Sequence, residues 1–450
     1  MDRGARGVLA RAPRGARARQ RARFARALGG AALAAAALSA VQWLPGLEAA
    51  AESTRWAGAP GGPSAFALRP GALLSLAFSA GLADALKGDP YFWETSLHLG
   101  GGALALAAWA GSRREGRPAL AAAAVLLFLA FGAARFLPLG SLFRAPARLA
   151  LPACAFLSVL AAAGVDLAAA RGRDAGRFLA LLVVFEALAF GVLNAPADPI
   201  ARELPAAWER AAAAFSPGER ALFDLRTDPN SGLALGVPEP WGYGQLVPRR
   251  WAELVFASQG VPAAEAGSSL ILRREHPVLR LLRVRAVLTR PAPHVRELAP
   301  TLPRLLLARA WTLARGREDA LAAVLAPGFD PERTAVLERE PVPAPDPAGT
   351  GGSARVVAED SDSLTIEAEL PSPAVLVVAD SYATGWRADA LPGSAQASYD
   401  VLPADWALRA VPLAAGRHRF VLRYAPASFA LGVLLSLLAL PAVAFLGLKR

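Results

Sequence analysis

Along the first 195 residues the apolar positions come in long unbroken runs, and beyond residue 363 they come in alternation. The runs cover roughly 27–47, 95–111, 118–134, 149–169 and 178–194, and another, 428–448, closes the chain. A bilayer core of ~30 Å takes ~20 residues of helix. These stretches therefore predict five spans followed, after a long polar interval, by a sixth. A shorter apolar run at 72–82 cannot cross and reads as an interfacial or re-entrant helix.

After residue 195 the pattern changes twice. PAAWERAAAAFSPG (205–218) reads as a short helix stopped by Ser216, Pro217 and Gly218, and 219–290 mixes short helical and strand patterns. PVPAPDPAGTGGSA (341–354) is a Pro-then-Gly linker. In SLTIEAEL (363–370), Leu364, Ile366, Ala368 and Leu370 alternate with polar residues, as in a half-buried strand. PAVLVVAD, WALRAVPL and RHRFVLRY continue in kind, with Gly393 and Gly416 in the turns between. The expected architecture is an α-helical polytopic membrane protein of about six spans, with a large extracytoplasmic α/β region ending in a β-sandwich-like module. Its expected parts are a basic arm (1–26), a five-span membrane domain (27–194), an α/β region (195–340), a linker (341–354), the β module (355–427), and a final helix with a basic tail (428–450).

Composition agrees with the membrane reading: of 450 residues, 54% are hydrophobic and 19% charged, too apolar for an ordinary soluble chain. The net charge of +11 is concentrated, since residues 1–26 hold nine arginines against Asp2 and so supply +8 of it. A basic arm ahead of an apolar run anchors to the cytoplasmic side, and no interleaved basic and aromatic groove points to nucleic acid. With that arm inside, SRREGR (112–117), RGRDAGR (171–177) and Lys449-Arg450 also fall inside, while 195–427 falls outside. A signal peptide is the competing reading of the start, because LEAAAES (47–53) offers an A-x-A-like site. The arm is long for such a leader, however, and a span explains Pro45 and Gly46 equally well. Cys154 is the sole cysteine and the four histidines lack ligand spacing, so neither a metal nor another cofactor is expected.

Several segments resemble one family in register. ADSYATGWRADA, then WALRAVPLAAGRHRFVLRYAP and an apolar helix, resemble the C-terminal signature of YfhO-type bacterial membrane proteins: a strand, a Gly-Trp pair, a Val-Pro-x-x-x-Gly-x-His turn and a Tyr-x-Pro before the last span. VQWLPGLEAAAESTR (41–55), FRAPARLAL and HPVLRLLRVRAVLT (276–289) are similar to upstream pieces of that family, so the resemblance runs from about residue 30 onward. It implies kinship with C-type glycosyltransferases, which pass a sugar from a polyprenyl-phosphate carrier to an envelope polymer at the outer face. The implied partners are a polyprenyl-phosphate-linked sugar, an envelope polymer and membrane lipids, and the implied location is the bacterial cytoplasmic membrane. Two departures stand out. Family members carry further spans, with the presumed acidic base, ahead of the segment matching 27–47, and the Asp-Gly that commonly follows Gly-Trp is absent. A non-catalytic relative that binds a carrier or polymer is therefore the alternative to a transferase.

Candidate chemistry follows from residue types and depth. Arg144 and Arg148 flank Pro146 at the mouth of a span on the outer side, where guanidinium forks could hold a carrier phosphate, with Arg55 as a third cation; snorkelling to headgroups is the plainer use. Glu48 and Glu52 lie four apart at the outer end of the first span, and Asp84 and Asp89, with Glu94, follow the short apolar run. Any of these carboxylates would suit a general base, while a solvated helix end or a turn at Asp89-Pro90 is the plainer reading. Asp166 and Glu186 fall inside spans, where acids are functional candidates by default, although a structural pairing is favoured. Trp386 is a carbohydrate-contact candidate that core packing would equally explain, and His418 reads as a turn residue.

Overall fold

The computed structural model describes residues 14–54, 56, 66–78, 97–137, 145–193, 203–223, 230–241, 244, 246–266, 272–292 and 294–448. The chain divides into two compact units, Met1–Thr54 with Ala206–Arg450, and Arg55–Pro205. Helices α1 (Arg14–Leu38) and α2 (Ala40–Ala51) begin the first unit; α3 (Gly101–Ser112), α4 (Arg117–Ala130), α5 (Ala150–Ala169) and α6 (Arg173–Leu193) build the second. The first unit resumes with α7 (Ala206–Ala213), α8 (Arg249–Ser258), α9 (Pro277–Leu281) and α10 (Arg317–Leu325), and closes with α11 (Ala427–Leu448).

Three helices among the described residues are long and apolar enough to cross a membrane: Pro146–Ala169, Arg173–Val192 and Ala427–Ala444. Their outward faces are apolar, with Val159, Leu181, Phe185, Leu188, Leu437 and Leu438 all exposed. Helices α3 and α4, where two further spans were expected, reach only ~18 Å and ~21 Å at 1.5 Å per residue. Glycine sets both limits. Gly100 (φ +97°) precedes α3 and Gly132 (φ +102°) follows α4, in backbone conformations that break a helix. The expected first span is broken too: Gly29–Leu38 and Ala40–Ala51 meet at 71° and make a fourth crossing only if both halves count as one.

The break has an identifiable cause. Ser436 of α11 accepts the Val41 N–H through Oγ at 3.1 Å and donates to the Ala37 carbonyl at 3.2 Å, two groups that bond each other in an unbroken helix. A hydroxyl inserted into the ladder is one of the few established sources of a sharp kink. The close approach it needs comes from Gly432, where a Cβ would stand 2.6 Å from the Ala40 carbonyl oxygen. Helix α2 then runs through Pro45 to Ala51 instead of stopping at Pro45-Gly46.

The described residues of the strand-rich part hold thirteen strands: β1 (Arg220–Phe223), β2 (Val284–Leu288), β3 (Val295–Glu297), β4 (Leu305–Ala308), β5 (Ala310–Leu313), β6 (Thr334–Leu337), β7 (Ser353–Glu359), β8 (Ser363–Leu370), β9 (Ala374–Ser381), β10 (Trp386–Ala390), β11 (Leu402–Ala404), β12 (Leu408–Leu413) and β13 (Gly416–Tyr424). They form a small sheet β1-β2-β3, a six-stranded sheet β4-β9-β12-β11-β6-β5 and a four-stranded sheet β10-β13-β8-β7. Leu364, Ile366 and Leu370 of β8 and Phe420 and Leu422 of β13 face Leu376 and Val378 of β9 and Val411 and Leu413 of β12 in one core. The other face of β9 and β12, through Val375, Val377, Leu408 and Ala410, packs on α8, α9 and α10 in a second core. Strand β9 is thus covered on both sides, which is why AVLVVA reads as a continuous apolar run. Strand β8 keeps the expected alternation because only one of its faces is buried.

The expected module boundary needs correction. Strands β4, β5 and β6, all ahead of residue 341, complete the sheet built on β9 and β12, so 355–427 is not a self-contained sandwich. The stretch 341–354 does not isolate it either: Pro341 and Pro345 are buried, and the Arg309 guanidinium donates to the carbonyls of Gly351, Ser372 and Pro373.

Candidate functional site

Strand β9 carries Asp380 one residue before its end, and parity places it on the face of Leu376 and Val378, at the open end of the core between the two large sheets. Only 6% of its surface is exposed. A buried carboxylate persists only when paired, and three guanidiniums reach it. Arg220, at the start of β1, lies 2.5 Å from Oδ1; Arg304, just ahead of β4, and Arg409, on β12, lie 2.9 Å and 3.5 Å from Oδ2. Arg304 also grips Glu359 at the end of β7 with a two-pronged pair, both bonds 2.8 Å. Burial pushes the Asp380 carboxyl up, but the charges of Arg220, Arg409 and Arg304 outweigh it and hold the group below its ordinary range. The Arg304 hydrogen bonds lower Glu359 likewise. Arg409 is pushed down to about 10, chiefly by burial, with Arg304 and Arg220 adding like-charge repulsion against the pull of Asp380.

Beside this cluster opens a cavity of about 470 Å³, walled by Arg220, Arg304, Arg409, Trp241, Trp251 and Trp386, with Glu239 and Asp360 among its acids. The Arg409 guanidinium lies 3.7 Å over the Trp386 ring, and that of Arg220 lies 5.4 Å over Trp251. Trp386 in turn leans on Tyr424 at 5.6 Å. Gly385 allows this contact: a Cβ there would stand 2.6 Å from Tyr424 Cε2 and 3.1 Å from Pro426. The Gly-Trp and Tyr-x-Pro pairs noted in the sequence are thus two sides of one packing contact.

Two wall atoms are buried without a hydrogen-bond partner among the described residues, Arg409 Nη1 and Glu239 Oε2. The other Glu239 oxygen accepts the Gly232 N–H at 2.7 Å, and burial lifts its carboxyl above the ordinary range despite that bond. Such orphans are uncommon in folded proteins and each costs free energy.

The end of α2 is fastened to the cavity wall. Thr54 donates to the Val247 carbonyl at 3.0 Å, Arg249 donates to the Glu52 carbonyl at 2.8 Å, and Ser53 bridges Pro248. Val247 and Pro248 line the cavity. The Glu52 carboxylate accepts from the Thr384 N–H at 3.1 Å and from the Thr384 hydroxyl, two residues ahead of Trp386.

Of the candidates read from the sequence, Trp386 stands in the cavity wall and Glu52 supports it. Glu48 is half-buried in the same helix end, and burial, then the charges of Glu48 and Glu52, raise the Tyr424 hydroxyl. Arg148 is exposed on the turn Pro146–Leu149 that leads into α5. Arg55, Asp84, Asp89, Glu94 and Arg144 lie outside the described residues. Glu186 has a structural use, accepting the Gly102 N–H with both oxygens at 3.1 Å at the start of α3. Asp166 borders a separate, largely apolar cavity with His98 and Ser158. His418 is fully buried between the Tyr399 hydroxyl at 2.8 Å and the Ala414 carbonyl at 2.9 Å. Among the described residues no group of His, Cys, Asp or Glu is placed to hold a metal ion.

The reading of the sequence overlooked Arg220, Arg304, Asp380 and Arg409. One signal was present, a charged residue closing or interrupting the apolar strands PAVLVVAD and WALRAVPL, where a charge needs a partner.

Fold and site together define a class: a helical protein with segments long and apolar enough to cross a membrane, joined to a strand-rich region carrying an arginine- and tryptophan-walled cavity. Comparison with protein families, with curated proteins and with solved structures gives no match.

Proposed function

We propose that this chain is a multi-pass protein of the bacterial cytoplasmic membrane, with about six membrane-embedded segments, of which α3 and α4 are short and α1–α2 is bent, and with residues 195–427 outside, allied to the YfhO-type family. In this reading the outer region binds the sugar of a polyprenyl-phosphate-linked donor or of an envelope polymer. The observation that carries it is the cavity fastened to the end of α2. A sugar offers an apolar ring face and a rim of hydroxyls, and this wall offers indole rings beside arginines and carboxylates within a volume that suits one or two sugar units. Attachment to a membrane helix end favours a ligand that is itself tethered to lipid or cell surface.

Binding is preferred to catalysis because Asp380 and Glu359 are locked in ion pairs, whereas a general base must be free to take up a proton. Transfer remains the second reading on the strength of Glu239, whose partnerless oxygen borders the cavity. The test uses membranes carrying the full chain with radiolabelled polyprenyl-phosphate-glucose and purified envelope polymer. Retention of either, lost in Trp386→Ala, supports binding; label moving to polymer establishes transfer; retention of neither overturns the proposal. Reporters fused after residue 300 and after residue 174 should score external and cytoplasmic, and the reverse pair would overturn the sidedness.

A further inference from the structure

We infer that the cavity takes a saccharide bearing an oxyanion, a sugar acid or a sugar phosphate, and that Arg409 Nη1 receives the charged oxygen. The inference rests on the saccharide reading above and deepens it. Its first ground is an unmet charged donor. Arg409 is 95% buried, since its relative exposure is 5%, and it lines the cavity with Nη1 unpartnered among the described residues. Its hold on Asp380 is the loosest of the three, at 3.5 Å against 2.5 Å for Arg220 and 2.9 Å for Arg304. Asp380 therefore has little left to give it.

The second ground is how the neighbouring guanidiniums are engaged. Arg304 gives its fork to Glu359 and Asp380. Arg220 donates to Asp380 and to the Leu282 and Ala379 carbonyls. Arg409 approaches the Asp380 carboxylate only to 3.5 Å, and its guanidinium lies 3.7 Å over the Trp386 ring, a contact that fixes the fork before any ligand arrives.

The third ground concerns the rest of the ligand. Glu239 and Asp360 border the same cavity, and Glu239 keeps one buried oxygen without a partner. A bare anion would leave that oxygen unmet and face two carboxyl groups. An oxyanion carried on a sugar brings hydroxyls as well, and a hydroxyl can donate to Glu239 while the anion accepts from Arg409.

The test is calorimetric titration of the full chain in phosphatidylcholine nanodiscs with glucuronate, glucose 1-phosphate, glucose and inorganic phosphate. Glucuronate or glucose 1-phosphate should bind about ten-fold or more tightly than glucose, the range that a charge-assisted bond supplies. Arg409→Met, which keeps bulk over Trp386, should erase that preference. Arg409→Lys should keep part of it and guards against a variant that fails to fold, as the thermal unfolding midpoint of each will report. Glucose binding as well as the anionic sugars would overturn the oxyanion inference and leave the saccharide reading standing. Inorganic phosphate binding alone, lost in Arg409→Met, would uphold the oxyanion site and overturn the saccharide reading. Unchanged preference in a folded Arg409→Met, or no binding by all four probes, would overturn the inference, while the polymer assay above judges the saccharide reading separately.

Discussion

Asp405 offers a sharp test of the energetics, because its carboxyl is buried completely and only half satisfied. It sits between β11 and β12 with no exposed surface. Oδ1 accepts the Val336 N–H at 2.9 Å, the Asp405 N–H donates to the Val336 carbonyl at 2.8 Å, and Oδ2 has no partner among the described residues. Burial pushes the carboxyl up to about 7, against the opposing effect of the Val336 bond, from an ordinary value of 3.8. Below pH 3.8 both folded and unfolded chains hold the proton and nothing is lost. As pH rises from 3.8 to 7 the unfolded chain releases it while the folded one retains it, so stability falls, by about 4 kcal/mol in total at 1.36 kcal/mol per pH unit. In Asp405→Asn the amide oxygen keeps the Val336 bond and nothing titrates, at a cost of ~1–3 kcal/mol for the buried amide N–H₂. Hydrogen exchange at the Val336 amide, measured on the full chain in nanodiscs at pH 5 and pH 8, reports local opening. The variant should gain on its parent between those pH values by a few kcal/mol, other titrating groups cancelling in the difference. A difference that stays flat, or runs the other way, would refute the reasoning.

Three further outcomes are expected. Burial lowers the His418 pKa despite the Ala414 carbonyl, so its contribution is full above pH 6.5 and is lost as pH falls below it; protection of the β13 amides, corrected for the intrinsic exchange rate at each pH, should fall over that range, and equal protection at pH 7.5 and pH 5.5 would contradict this. Gly385→Ala forces a Cβ to within 2.6 Å of the Tyr424 ring and should cost ~1–3 kcal/mol, read as a lowered unfolding midpoint; an unchanged midpoint would contradict this. A fragment of residues 355–425 lacks β4, β5 and β6 and leaves one face of β9 and β12 bare, so it should show no cooperative thermal transition; a sharp one would mean that the four-stranded sheet carries the fold.

Some of this molecule was legible along the chain because it depends only on near neighbours. Helices α5, α6 and α11 lie where unbroken apolar runs placed them, since a helix satisfies its backbone within itself and needs only length and apolarity to suit a bilayer. Strand β8 matched its alternation because one face meets the core. The kink between α1 and α2 was not legible, because the hydroxyl that opens the ladder comes from Ser436, far along the sequence. The module boundary was misplaced for a related reason. Proline and glycine in 341–354 mark a break in local structure, but hydrogen bonding of β4 to β9 and of β6 to β11 crosses that break, and no local pattern encodes a sheet partner. The site was hidden most fully. Trp386 could be suspected from its Gly-Trp pair, but Arg304, Asp380 and Arg409 each look like isolated charges until β4, β9 and β12 lie side by side, and Arg220 joins them only because β1, of another sheet, meets the end of β9. Periodicity reports which face of an element is buried; which charges share that burial is decided by strand order, and strand order exists only in the folded chain.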